Sequence, residues 1–147
     1  MSDPQLRFEH LIAKLKEREY RLTPQRMDLV RLIATSEDHP SAAQLYDQIK
    51  VQFPTMSLAT VYKTLDLLKE LGEVLEIDLR DDIHYDGKRP YPHPHLICTS
   101  CKKISDGQLE APIRALVDEM EHISGFQILR HQLVFYGLCP DCQKIMR

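Results

Sequence analysis

The chain has 147 residues, 43% apolar and 28% charged, with four Cys, seven His and a formal net charge of −3. This composition excludes wholesale disorder, and the length suits one large domain or two small ones rather than a multi-domain enzyme. No apolar run approaches the roughly 20 residues of a membrane span, and the N-terminal stretch lacks a signal-peptide core. The expected compartment is therefore a reducing cytoplasm, where four Cys serve more readily as metal ligands or redox groups than as disulfides. A mildly acidic protein can still bind DNA through one basic face.

The first half reads as helices. From Pro4 to Arg18, the residues Leu6, Phe8, Leu11, Ile12 and Leu15 follow a 3.6-residue repeat. Thr23 and Pro24 form a cap and a first helical position for a helix that ends near Ser36. Ser41 with Gln44 has the form of a capping box and opens a helix to about Phe53. Ser57 caps a strong helix over Leu58–Leu71, closed by Gly72. Glu73–Leu79 and Ile83–Asp86 alternate as two short strands joined by a polar turn. Helices followed by a two-stranded hairpin make a winged helix-turn-helix, with Ser57–Leu71 as the recognition helix.

The stretch Asp86-Gly87-Lys88-Arg89-Pro90-Tyr91-Pro92 is rich in turn residues and reads as a linker. Short strands are expected at His95–Cys98 and Lys103–Ser105, a helix at Ala111–Ser124 ended by Gly125, and a long strand at Gln127–Leu138. The result is an α+β fold in which residues 1–86 form the winged-helix domain, 87–92 a hinge and 93–147 a small α/β domain.

Two C-x-x-C knuckles, Cys98/Cys101 and Cys139/Cys142, can point four sulfurs at one ion. A tetrahedral set of four thiolates fits structural Zn²⁺ and leaves no open position for catalysis. A redox pair or unrelated buried Cys are the alternatives. Near the first knuckle lie His93, His95 and Asp106, with Asp86 at the end of the hairpin and His39 at a helix–helix turn. Nitrogen and carboxylate ligands without sulfur suit Fe²⁺, Mn²⁺ or Zn²⁺. If the five converge, ion binding ties the two halves together as a switch. His10, His84, His122 and His131 read as non-ligands, and His84 is expected to face away from Asp86.

The strings Leu22-Thr23-Pro24-Gln25-Arg26, His39-Pro40-Ser41-Ala42, Ser57-Leu58-Ala59-Thr60-Val61-Tyr62, His93-Pro94-His95-Leu96-Ile97-Cys98-Thr99-Ser100-Cys101 and the late Cys139-x-x-Cys142 resemble, in order, the ferric uptake regulator family. That resemblance implies a homodimeric, metal-responsive DNA-binding repressor whose second half is a dimerisation domain. Tyr62 matches a base-contacting tyrosine of the family. Asp at position 106 is typical of the family's peroxide-responsive branch. It implies a regulatory site of His39, Asp86, His93, His95 and Asp106 holding Fe²⁺ or Mn²⁺, with His39 and His93 as the histidines that peroxide oxidises. Oxidation would weaken the site and release the operator. Lys63 stands where an Arg is usual, so it can meet a phosphate but lacks the bidentate fork for guanine. Pro92 and Pro94 replace the ligands of a further site of iron-uptake regulators, which is not carried over. The alternative within the family is an iron- or zinc-uptake repressor that senses metal level only.

Between Lys14 and Arg31 lie six basic residues (Lys14, Lys16, Arg18, Arg21, Arg26, Arg31) against three acidic ones (Glu17, Glu19, Asp28). The expected DNA-binding residues are Tyr62, Lys63, Ser57, Thr60, Arg21 and Lys16, acting on a palindromic double-stranded operator. No catalytic residue, small organic substrate or membrane is expected. A hydrolytic metal centre would need a general base and a cleft that the sequence does not supply. A plain zinc-ribbon module would leave the capped helices without a role.

Overall fold

The structure, a computed structural model, describes residues 3–79 and 82–145. The chain forms two compact units, Met1–Tyr91 and Pro92–Arg147. No helix among the described residues is long and apolar enough to cross a membrane.

The first unit contains α1 (Pro4–Glu17), α2 (Pro24–Thr35), α3 (Ala42–Gln52), α4 (Leu58–Glu70), β1 (Leu75–Leu79) and β2 (Asp82–Asp86). Each helix starts where a side chain takes up an orphan backbone N–H. Asp3 accepts from Gln5, Thr23 from Arg26 and Ser57 from Thr60. Ser41 and Gln44 form the full reciprocal capping box. Helix α4 ends in a Schellman motif: Gly72 N–H bonds the Lys69 carbonyl and Glu73 N–H bonds the Leu68 carbonyl. This closure needs a left-handed residue, and Gly72 sits at φ 72 without steric cost.

The apolar stripes of the four helices meet in one core. Leu11, Leu15, Leu29, Leu45, Leu65 and Leu68 are all fully buried there, each stabilising the fold by about 1.5–3 kcal/mol. Strands β1 and β2 pair antiparallel from Leu75↔Asp86 to Leu79↔Asp82. The turn predicted between them, Arg80–Asp81, lies outside the described residues.

The second unit contains β3 (His95–Cys98), β4 (Ile104–Asp106), α5 (Ile113–Ser124), β5 (Val134–Gly137) and α6 (Pro140–Ile145). Its sheet has the order β4-β3-β5, antiparallel on one side of β3 and parallel on the other. Here the sequence expectation needs correcting. The long strand predicted over Gln127–Leu138 is only four residues, because β3 starts at His95, whose N–H bonds the Leu133 carbonyl at 3.0 Å, and offers no ladder partner to the Gln127–Gln132 stretch. Helix α6 was not predicted. Pro140 starts it, at a position whose missing N–H costs nothing. Helix α5 buries none of its residues, and Leu116, Met120 and Ile123 are all more than half exposed.

Candidate metal centres and nucleic-acid face

The four Cys meet at one place. Cys98 ends β3 and Cys101 follows in the turn to β4, while Cys139 precedes α6 and Cys142 lies inside it. Their sulfurs all lie within 4.8 Å of one another, with Cys101 Sγ and Cys139 Sγ 3.9 Å apart. Zn–S bonds of about 2.3 Å in a tetrahedron would place the sulfurs about 3.8 Å apart. The residues therefore fit zinc.

Backbone amides support the same conclusion. Cys101 and Cys139 N–H both donate to Cys98 Sγ at 3.4 Å, and Cys142 N–H donates to Cys139 Sγ at 3.5 Å. The amides of Cys139 and Cys101 hold the Cys98 thiol down to about 6, which favours the thiolate a metal needs. The Cys142 thiol is pushed up to about 12, chiefly by its hydrogen bond to the Cys139 side chain. A cation among the sulfurs would stabilise all four as thiolates.

The N/O-ligand candidates form a pair in the first unit and a trio in the second. In the first unit, the Asp86 carboxylate is oriented by its own loop. Its Oδ1 accepts from Lys88 N–H at 3.1 Å and Arg89 N–H at 2.8 Å, a local Asp turn. Its Oδ2 lies 3.3 Å from His39 Nε2, and both side chains are only 3% exposed. In the second unit, His95 and Asp106 are direct cross-strand neighbours in β3 and β4. His93 Nε2 lies 2.8 Å and His95 Nε2 3.4 Å from Asp106 Oδ1. The two rings, two positions apart on the same side of an extended segment, have centroids separated by 4.3 Å. Two imidazoles and a carboxylate offer Fe²⁺, Mn²⁺ or Zn²⁺ an oxygen- and nitrogen-rich setting.

One expectation is overturned. His84 does not face away from Asp86. The two are two positions apart on β2 and so share a face of the strand. His84 Nδ1 reaches the His39 carbonyl at 2.6 Å while Asp86 reaches the His39 ring. The pairing of β2 with the His39–Ser41 segment, marked by the Ser41↔His84 bridge, has no signature in the local sequence.

The outer surface of α4 carries the predicted DNA-binding side chains. Val61, Thr64, Leu65 and Leu68 are buried, which leaves Ser57, Tyr62 and Lys63 exposed and Thr60 partly so. Arg21 and Lys16 are also exposed. A polar notch runs beside the N-termini of α2 and α4. It is lined by Arg21, Thr23, Gln25, Arg26, Ser57 and Thr60, with Thr55 and Met56. Arg21, Ser57 and Thr60 are expected from the sequence; Gln25 and Thr55 are not, and here the Gln25 side-chain amide donates to Thr55 Oγ1 at 2.9 Å. Arg26 and Arg31 are already engaged, Arg26 over the Tyr20 ring and Arg31 over the Phe8 ring.

Residues 17–136 match the model of the Ferric uptake regulator family. The peroxide-responsive repressor PerR of Staphylococcus aureus strain USA300 is 33% identical over 136 residues, 92% of this chain and 91% of that protein. A zinc-bound manganese uptake regulator shares 30% identity and a TM-score of 0.65, covering 90% of this chain and 98% of its own. The ferric uptake regulator of Helicobacter pylori shares the fold, with a TM-score of 0.75, 20% identity and coverage of 97% and 95%.

Proposed function

We propose a function from one premise: the chain belongs to the ferric uptake regulator family. It is a metal-responsive transcriptional repressor that binds a palindromic operator as a homodimer and is released from it by hydrogen peroxide. The observation that carries the peroxide reading is the His93–Asp106–His95 cluster, in a chain one-third identical to a peroxide-responsive repressor. His39 and Asp86 are the further ligands of this reading, in which the five residues would together hold Fe²⁺ or Mn²⁺. Zn²⁺ would occupy the four-cysteine clasp, and the cytoplasm would be the working compartment.

Bound Fe²⁺ supplies redox chemistry that Mn²⁺ and Zn²⁺ do not. With Fe²⁺ bound, one oxygen of peroxide would be added to an imidazole carbon of His39 or His93, its C–H becoming C–OH, and the other would leave as water. The protein's part is to hold these imidazoles beside the ion. Asp106 orients the His93 ring at 2.8 Å, and Asp86 stands beside the His39 ring at 3.3 Å. An oxidised imidazole would be a poorer ligand, and weaker ion binding would end repression. On the operator, exposed Tyr62, Lys63, Ser57 and Thr60 would read the major groove. Arg21, Lys16 and the notch between the α2 and α4 N-termini would hold backbone phosphate.

The test begins with zinc-loaded protein supplied anaerobically with Fe²⁺ or Mn²⁺. Both forms should bind operator. Peroxide should release only the Fe²⁺ form, with mass spectrometry finding one added oxygen on His39 or His93. Retention of the Fe²⁺ form on DNA after peroxide, with both histidines unmodified, would favour the alternative of a repressor sensing metal level alone.

A further inference from the structure

His39 is buried, precedes a proline and has a left-handed backbone, φ 51. A non-glycine residue pays on the order of 1 kcal/mol or more for that conformation and keeps it only where its surroundings fix it. What fixes it lies on β2. The His39 carbonyl receives His84 Nδ1 at 2.6 Å. The Pro40 carbonyl receives Tyr85 N–H at 3.0 Å, and Ser41 bridges His84. A carbonyl has no proton to give, so the His84 ring must donate from Nδ1.

We propose that His84 is a positioning residue for the regulatory ion: its Nδ1–H holds the His39 backbone in the left-handed turn that carries the His39 imidazole to Asp86. The proposal rests on reading His39 as a ligand. Strand β2 then does two jobs. Its end supplies Asp86, and its middle sets the direction of His39, so the two ligands are matched by one strand. The His84 hydrogen bond acts on the ligand's backbone rather than on its ring. Outer contacts of this kind commonly change metal affinity by about 10–100-fold.

The experiment compares Mn²⁺ affinity in zinc-loaded wild type, His84→Leu, His84→Asn and His39→Ala, with zinc content and thermal unfolding followed in parallel. Asn places an amide N–H close to where the imidazole Nδ1–H lies. His84→Leu should bind Mn²⁺ at least about tenfold more weakly with zinc retained, and His84→Asn should recover most of the loss. Wild-type affinity in His84→Leu, or an Asn variant as weak as Leu, overturns the proposal. If His39→Ala binds Mn²⁺ as tightly as wild type, the ligand reading itself fails, whatever His84 does. Nitrogen NMR of the wild-type protein tests the contact without any variant. A His84 ring protonated only at Nε2 overturns the proposal even if His84→Leu does not fold.

Discussion

Arg7 holds Glu73 by two hydrogen bonds, from Nη1 to carboxylate Oε2 at 2.7 Å and from Nη2 to the backbone carbonyl at 2.6 Å. Its remaining Nε–H donates to the Gly87 carbonyl at 2.7 Å. One arginine on α1 thus joins the residue after the α4 cap to the residue after Asp86. Burial works to raise the Glu73 pKa, but Arg7 and His10 outweigh it and hold the carboxyl below its ordinary 4.5. Because the folded pKa is depressed, this contribution is fully present above about pH 4.5 and is lost as pH falls through the lower folded value. Glu73→Gln should lower unfolding stability by about 2 kcal/mol at pH 7, the scale of a charged, part-buried hydrogen bond. Urea titrations at pH 7 and pH 3 check the sign. The gap between variant and wild type must shrink at the lower pH, and a constant gap would refute the assignment.

Gly87 should not tolerate a side chain. A Cβ there would lie 2.5 Å from both Ile33 Cγ2 and the Ile33 carbonyl oxygen. The carbonyl belongs to α2 and cannot swing aside as a side chain would. Gly87→Ala should therefore cost about 1–3 kcal/mol, as overpacked cores do, and displace the neighbouring Asp86. Thermal unfolding and Mn²⁺ titration together test this. Wild-type values in both would show that α2 yields more easily than its packing suggests.

The features legible in the sequence are those with local rules. The caps at Thr23, Ser41 and Ser57, the glycine closing α4, and both C-x-x-C knuckles are set by neighbours within a few residues, and each occurs as expected. The pairing of His93 and His95 was equally readable, because two positions along an extended chain share a side. Contacts between distant segments were not readable. Nothing near residue 84 announces that its ring meets the carbonyl of residue 39, and nothing near Arg7 announces Glu73 or Gly87. The Gln25–Thr55 bond across the notch is hidden for the same reason. The overlong strand prediction shows the converse limit: alternation proposes a strand, but a ladder partner decides its length.

Zinc should be a folding requirement for the second unit. Its sheet has three short strands, and α5 buries no side chain, so the apolar core is small and the clasp joining Cys98/Cys101 to Cys139/Cys142 carries much of the closure. Complete chelation should unfold this unit, read as loss of strand signal in circular dichroism and of protease resistance beyond residue 92. Protons compete with zinc for sulfur, and Cys98, held down to about 6 by two backbone amides, keeps its thiolate to lower pH than an ordinary thiol. Cys98→Ser should therefore release zinc at a higher pH than wild type. Release at the same pH would mean that Cys98 is not the ligand that resists acid.

The α5 face should be where two copies meet. Leu116, Met120 and Ile123 recur at helical spacing and are 56%, 55% and 72% exposed, with Phe126 and Leu129 beyond the helix at 70% and 87%. So many large apolar side chains exposed along one helix and just beyond it are unusual on a monomer, and a second copy can cover them with the same residues by two-fold symmetry. The first 76 residues carry ten basic and twelve acidic side chains, so a single reading domain has little general attraction for DNA. Two domains on two half-sites gain by effective concentration, by about 10²–10⁴. Leu116→Asp should give a monomer in sedimentation while leaving zinc bound, and should weaken operator binding by at least about 100-fold. Binding to a single half-site should change far less. A variant that stays dimeric, or a monomer that holds the full operator as tightly as wild type, would separate assembly from this face.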